Sequence, residues 1–252
     1  MTNPLKVRAF LAHLAEHGDA QPVVDHLLAV SRATHERAAK THLGPAGAVI
    51  GLLHDLGKYS AAFQAYLRQI ASSDDTEARE FARGTVDHST AGAQLLWRGL
   101  RPKGRREQIA GEMLALCVAS HHSGLIDCIA PGGNDNLSKR MEKVDAESHL
   151  SEARANADVE VIAEAERLLE DPRVVSDLIG ILKAITEREG QNGTILQFKV
   201  GLLTRLLFSC LIDADRTDTV DSASPAAAGL RQPPGRLPGS LSFWGLRSAA
   251  TP

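Results

Sequence analysis

A chain of 252 residues with 43% hydrophobic and 23% charged residues can bury a core of its own, which excludes disorder throughout. Only 4% of residues are aromatic, which argues against a broad stacking platform for single strands. The formal net charge of −3 means that any nucleic-acid surface must be a local basic patch or be completed by bound metal.

The predicted elements are helices almost throughout. Phe10, Leu11 and Leu14 recur at helical spacing, while Arg8 and His13 break the apolar stretch and argue against a signal peptide. Val23, Val24, Leu27, Leu28 and Ser31 continue the helical pattern. Gly44-Pro45 restarts the chain, and 46–54 reads as a buried helix ending near Gly57. Further helices are expected over 61–70, 89–98, 107–120, 147–170, 174–188 and 194–215. No segment shows convincing strand alternation, so the fold class is all-α. The stretch 109–119 reads as the most apolar later segment, but it contains Glu112 and is too short to span a bilayer, so a soluble chain is expected. The stretch 131–136, Pro-Gly-Gly-Asn-Asp-Asn, is turn chemistry. After Asp218 the chain becomes rich in Pro, Gly, Ser and Ala, which predicts one domain over 1–218 and a flexible tail or linker over 219–252. Cys117, Cys128 and Cys210 form no CxxC pair and suggest no disulfide framework, which fits a reducing cytoplasm.

Three segments carry chemistry: Leu52-Leu53-His54-Asp55-Leu56-Gly57-Lys58, Asp87-His88-Ser89 and His121-His122-Ser123-Gly124. His54 and Asp55 close an apolar helix, where a polar pair is costly to bury without a partner, and a divalent cation suits adjacent imidazole and carboxylate. Lys58 lies one turn after His54 on the same face, where an ammonium could meet a phosphate oxygen. His121 and His122 diverge by about 100° on an ideal helix and converge on one site only if the helix ends there, as Ser123-Gly124 suggests. Each histidine alone has an ordinary explanation, and His13, His17, His35, His42 and His149 keep it. Asp87 alone could cap a helix. A phosphate-loop reading fails, because Gly51 and Gly57 are wrongly spaced and Tyr59 stands where Ser or Thr is required. Together, the three segments at the edges of apolar helices point to a metal site. Arg98, Arg101, Lys103, Arg105 and Arg106 form a candidate phosphate-backbone patch, whose ordinary alternative is a solvated basic loop.

These motifs resemble the HD nuclease domain of the CRISPR-associated type I signature nuclease-helicase. The match is strongest over Gly51-Leu-Leu-His-Asp-Leu-Gly-Lys-Tyr-Ser-Ala-Ala-Phe63-Gln64-Ala-Tyr66-Leu67, followed by the DHS and SHHSG segments and a closing Asp-Ala-Asp-Arg at 213–216. The resemblance implies an HD-domain helical bundle with a dinuclear metal site in its core cleft. It implies that His26, His54, Asp55 and Asp215 hold one ion, with Asp213 the alternative late aspartate, and that Asp55 bridges to a second ion on His88, His121 and His122. It further implies cleavage of single-stranded DNA, with Asp55 and Lys58 in the catalytic centre and a helicase domain or subunit and an RNA-guided surveillance complex as partners. Nitrogen-rich ligation favours manganese, iron, cobalt or nickel over magnesium. Asp25 and Asp87 precede proposed ligands and could orient them, with a solvated surface carboxylate as the ordinary reading. A cyclic-dinucleotide phosphodiesterase would share the ligand order, but its Gly-Tyr-Pro signature is absent. A docking module with structural metals is the other competitor.

Overall fold

The computed structural model describes residues 10–13, 20–72, 86–189 and 193–224. Among them are eleven α-helices, two 3-10 turns and one two-stranded ribbon. The all-α expectation holds but for that ribbon, in which β1 (Leu11–His13) runs antiparallel to β2 (Gln21–Pro22), with Leu11 opposite Pro22 and His13 opposite Gln21. Residues 11–13 were expected to be helical, and Leu14 lies outside the described residues. Tertiary hydrogen bonds decide the difference: the Gln64 amide donates to the Leu11 carbonyl and accepts from the Leu11 N–H, so both backbone groups are satisfied without a helix.

Helix α1 (Val23–Ala39) buries Val23, Val24, Leu27, Val30 and Ala38 along one stripe. It packs on α2 (Gly44–Leu53), which opens with a proline in its first turn and is apolar all round. An all-round apolar helix belongs in the middle of a bundle, and α2 is buried along nearly its whole length. A 3-10 turn over Leu56–Tyr59 follows, then α3 (Ala61–Ser72), α4 (Thr90–Leu100), a second 3-10 turn (Arg101–Lys103) and α5 (Arg105–Ser120). The helix expected over 147–170 is three pieces: α7 (Asp145–Ser148), α8 (Leu150–Asn156) and α9 (Val159–Glu170). It is broken by His149, which takes a left-handed φ of 54°, and by extended backbone at Ala157 and Asp158. The Asp158 carboxylate there accepts a hydrogen bond from the Tyr59 hydroxyl at 2.9 Å. Helix α6 (Asn136–Met141) lies between α5 and α7, and α10 (Arg173–Glu189) follows α9.

Helix α11 (Gly193–Ala223) runs past the expected end at 215 and past the expected domain boundary at 218. The remainder of the expected tail, from 225, lies outside the described residues. Leu203, Leu207, Leu211 and Ala214 of α11 are buried at helical spacing against α1, α2 and α5. Asp218 falls four residues further along the same stripe, so an apolar seam ends in a carboxylate. Helix α11 is long and apolar enough to cross a membrane by length and composition, with a best-window mean hydropathy of 1.7.

Candidate metal centre

The chemistry-bearing residues sit at helix ends that meet in the core. His26 lies in the first turn of α1, His54 caps the C-terminus of α2, and Asp55 joins α2 to the 3-10 turn that carries Lys58. His88 precedes α4, and His121 caps the C-terminus of α5 with His122 next. Two glycines permit this meeting. A Cβ on Gly57 would collide with the His88 carbonyl, to which the Gly57 N–H donates at 3.1 Å, and a Cβ on Gly92 would collide with the Leu53 carbonyl. The glycine of the His-Asp-x-Gly-Lys pattern is therefore a close-approach residue that brings the first and second histidine segments together.

Two donor clusters result, and Asp55 belongs to both. Its Oδ2 lies 3.2 Å from His26 Nε2, 3.2 Å from His54 Nε2 and 2.7 Å from Lys58 Nζ. Asp215 Oδ1 stands 3.5 Å from both of those imidazole nitrogens. The other oxygen, Oδ1, lies 3.0 Å from His121 Nε2, 3.5 Å from His88 Nε2 and 3.8 Å from His122 Nε2. His122 is the open edge, with 52% of its side chain exposed.

Outer partners fix which ring nitrogen faces inward. His54, His88 and His121 each donate Nδ1–H to a backbone carbonyl, those of Gly51, Val86 and Val118, at 2.8, 2.9 and 2.8 Å. His26 turns Nδ1 to Asp218 Oδ2 at 2.7 Å, and that oxygen also accepts from Gln21 Nε2 at 2.8 Å. With Nδ1 so engaged, the Nε2 atoms of His26 and His54 face each other bare at 3.2 Å beside two carboxylates. Opposed lone pairs next to carboxylates need a cation or a proton between them, and outward-bonded imidazoles are the usual support of a bound metal.

Burial opposes charge on all these groups. It prevails at His88 and His13, whose pKa values fall to about 3, and at His121, which is also lowered. At His54 burial is outweighed by Asp55 and Asp215, which raise its pKa to about 10. Burial of Asp55 is likewise outweighed, by His54, Lys58 and His121, which hold its carboxyl well below the usual range. Ionised Asp55 and neutral His88 and His121 are the protonation states metal ligation requires, whereas His54 carries a proton between the carboxylates that an arriving cation would have to displace. Each cluster offers donors that suit a divalent ion: His13, His26, Asp55 and Asp215 in one, with His54 Nε2 beside the same two carboxylates, and Asp55, His88, His121 and His122 in the other.

The structure thus brings together all seven expected positions. Asp213 points elsewhere: it pairs with Arg37 and is 69% exposed. Lys58, 3% exposed, does not project as a free cation; its ammonium is held by Asp55 and by His13 Nε2 at 3.2 Å. His13, expected to be ordinary, stands in the first cluster with His26, Asp55 and Asp215. Asp218 was not singled out either, although its i,i+3 spacing from Asp215 puts both carboxylates on one helical face. Asp87 is neither a free surface carboxylate nor hydrogen-bonded to a histidine ring. It caps α4 through the Thr90 N–H and binds Lys143 and Arg140, which with Thr90 hold its carboxyl low against the opposing effect of burial. Asp25 is exposed. The basic stretch 98–106 lies at the far end of α4 from His88, about 16 Å away for an 11-residue helix. There Lys103 pairs with Glu170 and Arg101 stacks on Trp97.

An all-helical bundle whose helix ends converge on a His-Asp doublet and further histidines defines the HD class of metal-dependent phosphohydrolases. The family model described as "Cas3, HD domain" matches residues 5–185, and the chain belongs to that family. Membership places it with the CRISPR-associated type I system. The match ends before Asp215 and Asp218, which the structure joins to the site through His26. A comparison with curated proteins gives no match.

Proposed function

We propose that this chain is a two-metal nuclease that hydrolyses phosphodiester bonds of single-stranded DNA during type I CRISPR interference. In this reading it acts in the cytoplasm beside a helicase domain or subunit and an RNA-guided surveillance complex. The observation that carries the reading is the division of Asp55, whose two carboxylate oxygens face two different donor clusters. Bound there, two divalent ions would supply the Lewis acidity that phosphodiester hydrolysis needs. The histidine-rich donor set favours manganese, iron, cobalt or nickel. Lys58 positions the Asp55 carboxylate and balances its charge, and the carbonyl-bonded rings of His54, His88 and His121 keep their Nε2 atoms aimed inward. His122, the exposed member, marks the side from which a strand reaches the centre.

Protein loaded with manganese or nickel should cut single-stranded DNA without ATP, and Asp55→Ala should abolish cutting. Hydrolysis of a cyclic dinucleotide with no DNA cleavage would replace the nuclease reading with a phosphodiesterase one. Tightly held metal with no cleavage of any strand would mark a docking module.

A further inference from the structure

A groove of about 540 Å³ opens directly off the exposed edge of the metal centre. His88, His122 and Ser123 line it together with a cationic wall of Lys139, Arg140 and Lys143. The three cations come from α6 and the residues just after it, a segment with its own supports. Asp135 caps α6 by accepting from the Ser138 N–H at 2.8 Å, and Leu137 and Met141 anchor its inner face in the core. The buried Gln94 amide donates to the carbonyls of Met141 and Lys143 at 3.0 and 2.8 Å, pinning the C-terminal end.

Two of the three charges on this wall, Arg140 and Lys143, are held in place before any ligand arrives. Asp87 binds Lys143 at 2.6 Å and Arg140 at 3.3 Å, and Arg140 also donates to Thr90 Oγ1 at 2.8 Å. Lys139, four residues before Lys143 and on the same side, is exposed and makes no ion pair among the described residues. Three cations against one carboxylate leave the wall positive in a chain whose net charge is −3. Cations already held in place lose less side-chain entropy on meeting an anion than free surface lysines do. The basic stretch 98–106, by contrast, is remote from His88 and partly engaged with Glu170 and Trp97.

We propose that this groove seats the phosphodiester backbone of the strand being cut, with Lys139 and Lys143 contacting phosphates next to the scissile one and Arg140 lining the wall between them. The inference rests on the nuclease reading above, but it concerns binding, so the two fail separately. Its test is the salt dependence of binding, by fluorescence anisotropy, of the metal-loaded protein to a labelled oligothymidylate with phosphorothioate linkages, which keep the charge and slow cleavage. Each phosphate contact on a single strand contributes about 0.7 to the slope of log K against log salt, equivalent to about fivefold in affinity at 0.1 M relative to 1 M. Lys139→Ala with Lys143→Ala should therefore lower the slope by about 1.4 and weaken binding about 25-fold at 0.1 M. Lys139→Arg with Lys143→Arg should keep the slope, which separates lost charge from lost folding. Arg101→Ala with Arg106→Ala should leave it alone. The groove is refuted by an unmoved slope in the double alanine variant, by an equal or larger fall in the Arg101 and Arg106 variant, or by no measurable binding of the unaltered protein. An unmoved slope with normal cleavage sinks the groove and spares the nuclease. The expected slope change with no cleavage does the reverse.

Discussion

Replacing Asp218 by Asn tests how the first cluster is held. The Asp218 carboxylate, 17% exposed, never faces the centre; it grips the outer nitrogen of His26 at 2.7 Å. Asn keeps the shape and one acceptor but loses the charge that strengthens an imidazole donor as a ligand. Removing such an outer partner typically costs 10–100-fold in metal affinity, which is about 1.4–2.7 kcal/mol. The loss should be confined to one of two ions, because the inward-facing rings of His88 and His121 are fixed by the Val86 and Val118 carbonyls, far from Asp218 in sequence. A competition titration with a chromophoric chelator should show two tight steps for the unaltered protein and one weakened step for Asp218→Asn. Asp213→Asn is the control: its exposed pair with Arg37 is worth no more than about 1 kcal/mol and touches neither cluster. Equal weakening of both steps, or a larger effect from Asp213→Asn, would refute the assignment of Asp218 to His26 and of the late aspartate to Asp215.

Adding metal at 100 times its dissociation constant should stabilise the fold by about 2.7 kcal/mol. At about 2–4 °C per kcal/mol for a chain of this size, calorimetry should show a rise of about 5–11 °C that a chelator reverses. Gly57→Ala should cost about 1–3 kcal/mol by overpacking against the His88 carbonyl and should reduce the bound metal from two ions towards one, read by elemental analysis. Gln64→Leu should cost about 1–3 kcal/mol in chemical denaturation, because it orphans the Leu11 backbone groups and the Lys58 carbonyl that the amide now satisfies. No loss in that variant would mean that β1 is not held by Gln64.

The parts of the site that were legible in the sequence are those where neighbouring residues carry the signal. His54-Asp55, Asp87-His88 and His121-His122 each mark the edge of an apolar helix, and such edges are where a bundle can aim polar groups inward. The departures share a physical origin. His13 is a lone histidine on a three-residue strand whose conformation depends on Gln64, fifty-one positions away, so no local pattern announces it. The break at His149 occurs without glycine or proline, at a non-glycine residue of positive φ that no local sequence pattern announces. Asp213 and Asp215 could have been separated in advance, since two residues turn a helix by about 200° and only one of them can continue the seam of Leu207, Leu211 and Ala214. The basic stretch 98–106 misled because charge density along a chain says nothing about which end of a helix faces the chemistry. Lys139, Arg140 and Lys143 are less conspicuous in sequence but stand beside His88 and His122 in space.

His26 is reached from both extremities of the described chain: His13 of the opening ribbon packs edge-on against its ring, and Asp218, near the last described helical turn, holds its outer nitrogen. An ion bound beside His26 would therefore clasp the opening ribbon to the last described helix, and loosening either element should release it before the α-helical core melts. A fragment trimmed to the span recognised by the family model could fold its middle helices and still be unable to close that clasp. Metal retention would then report the integrity of the opening ribbon and of α11 more sensitively than helix content does.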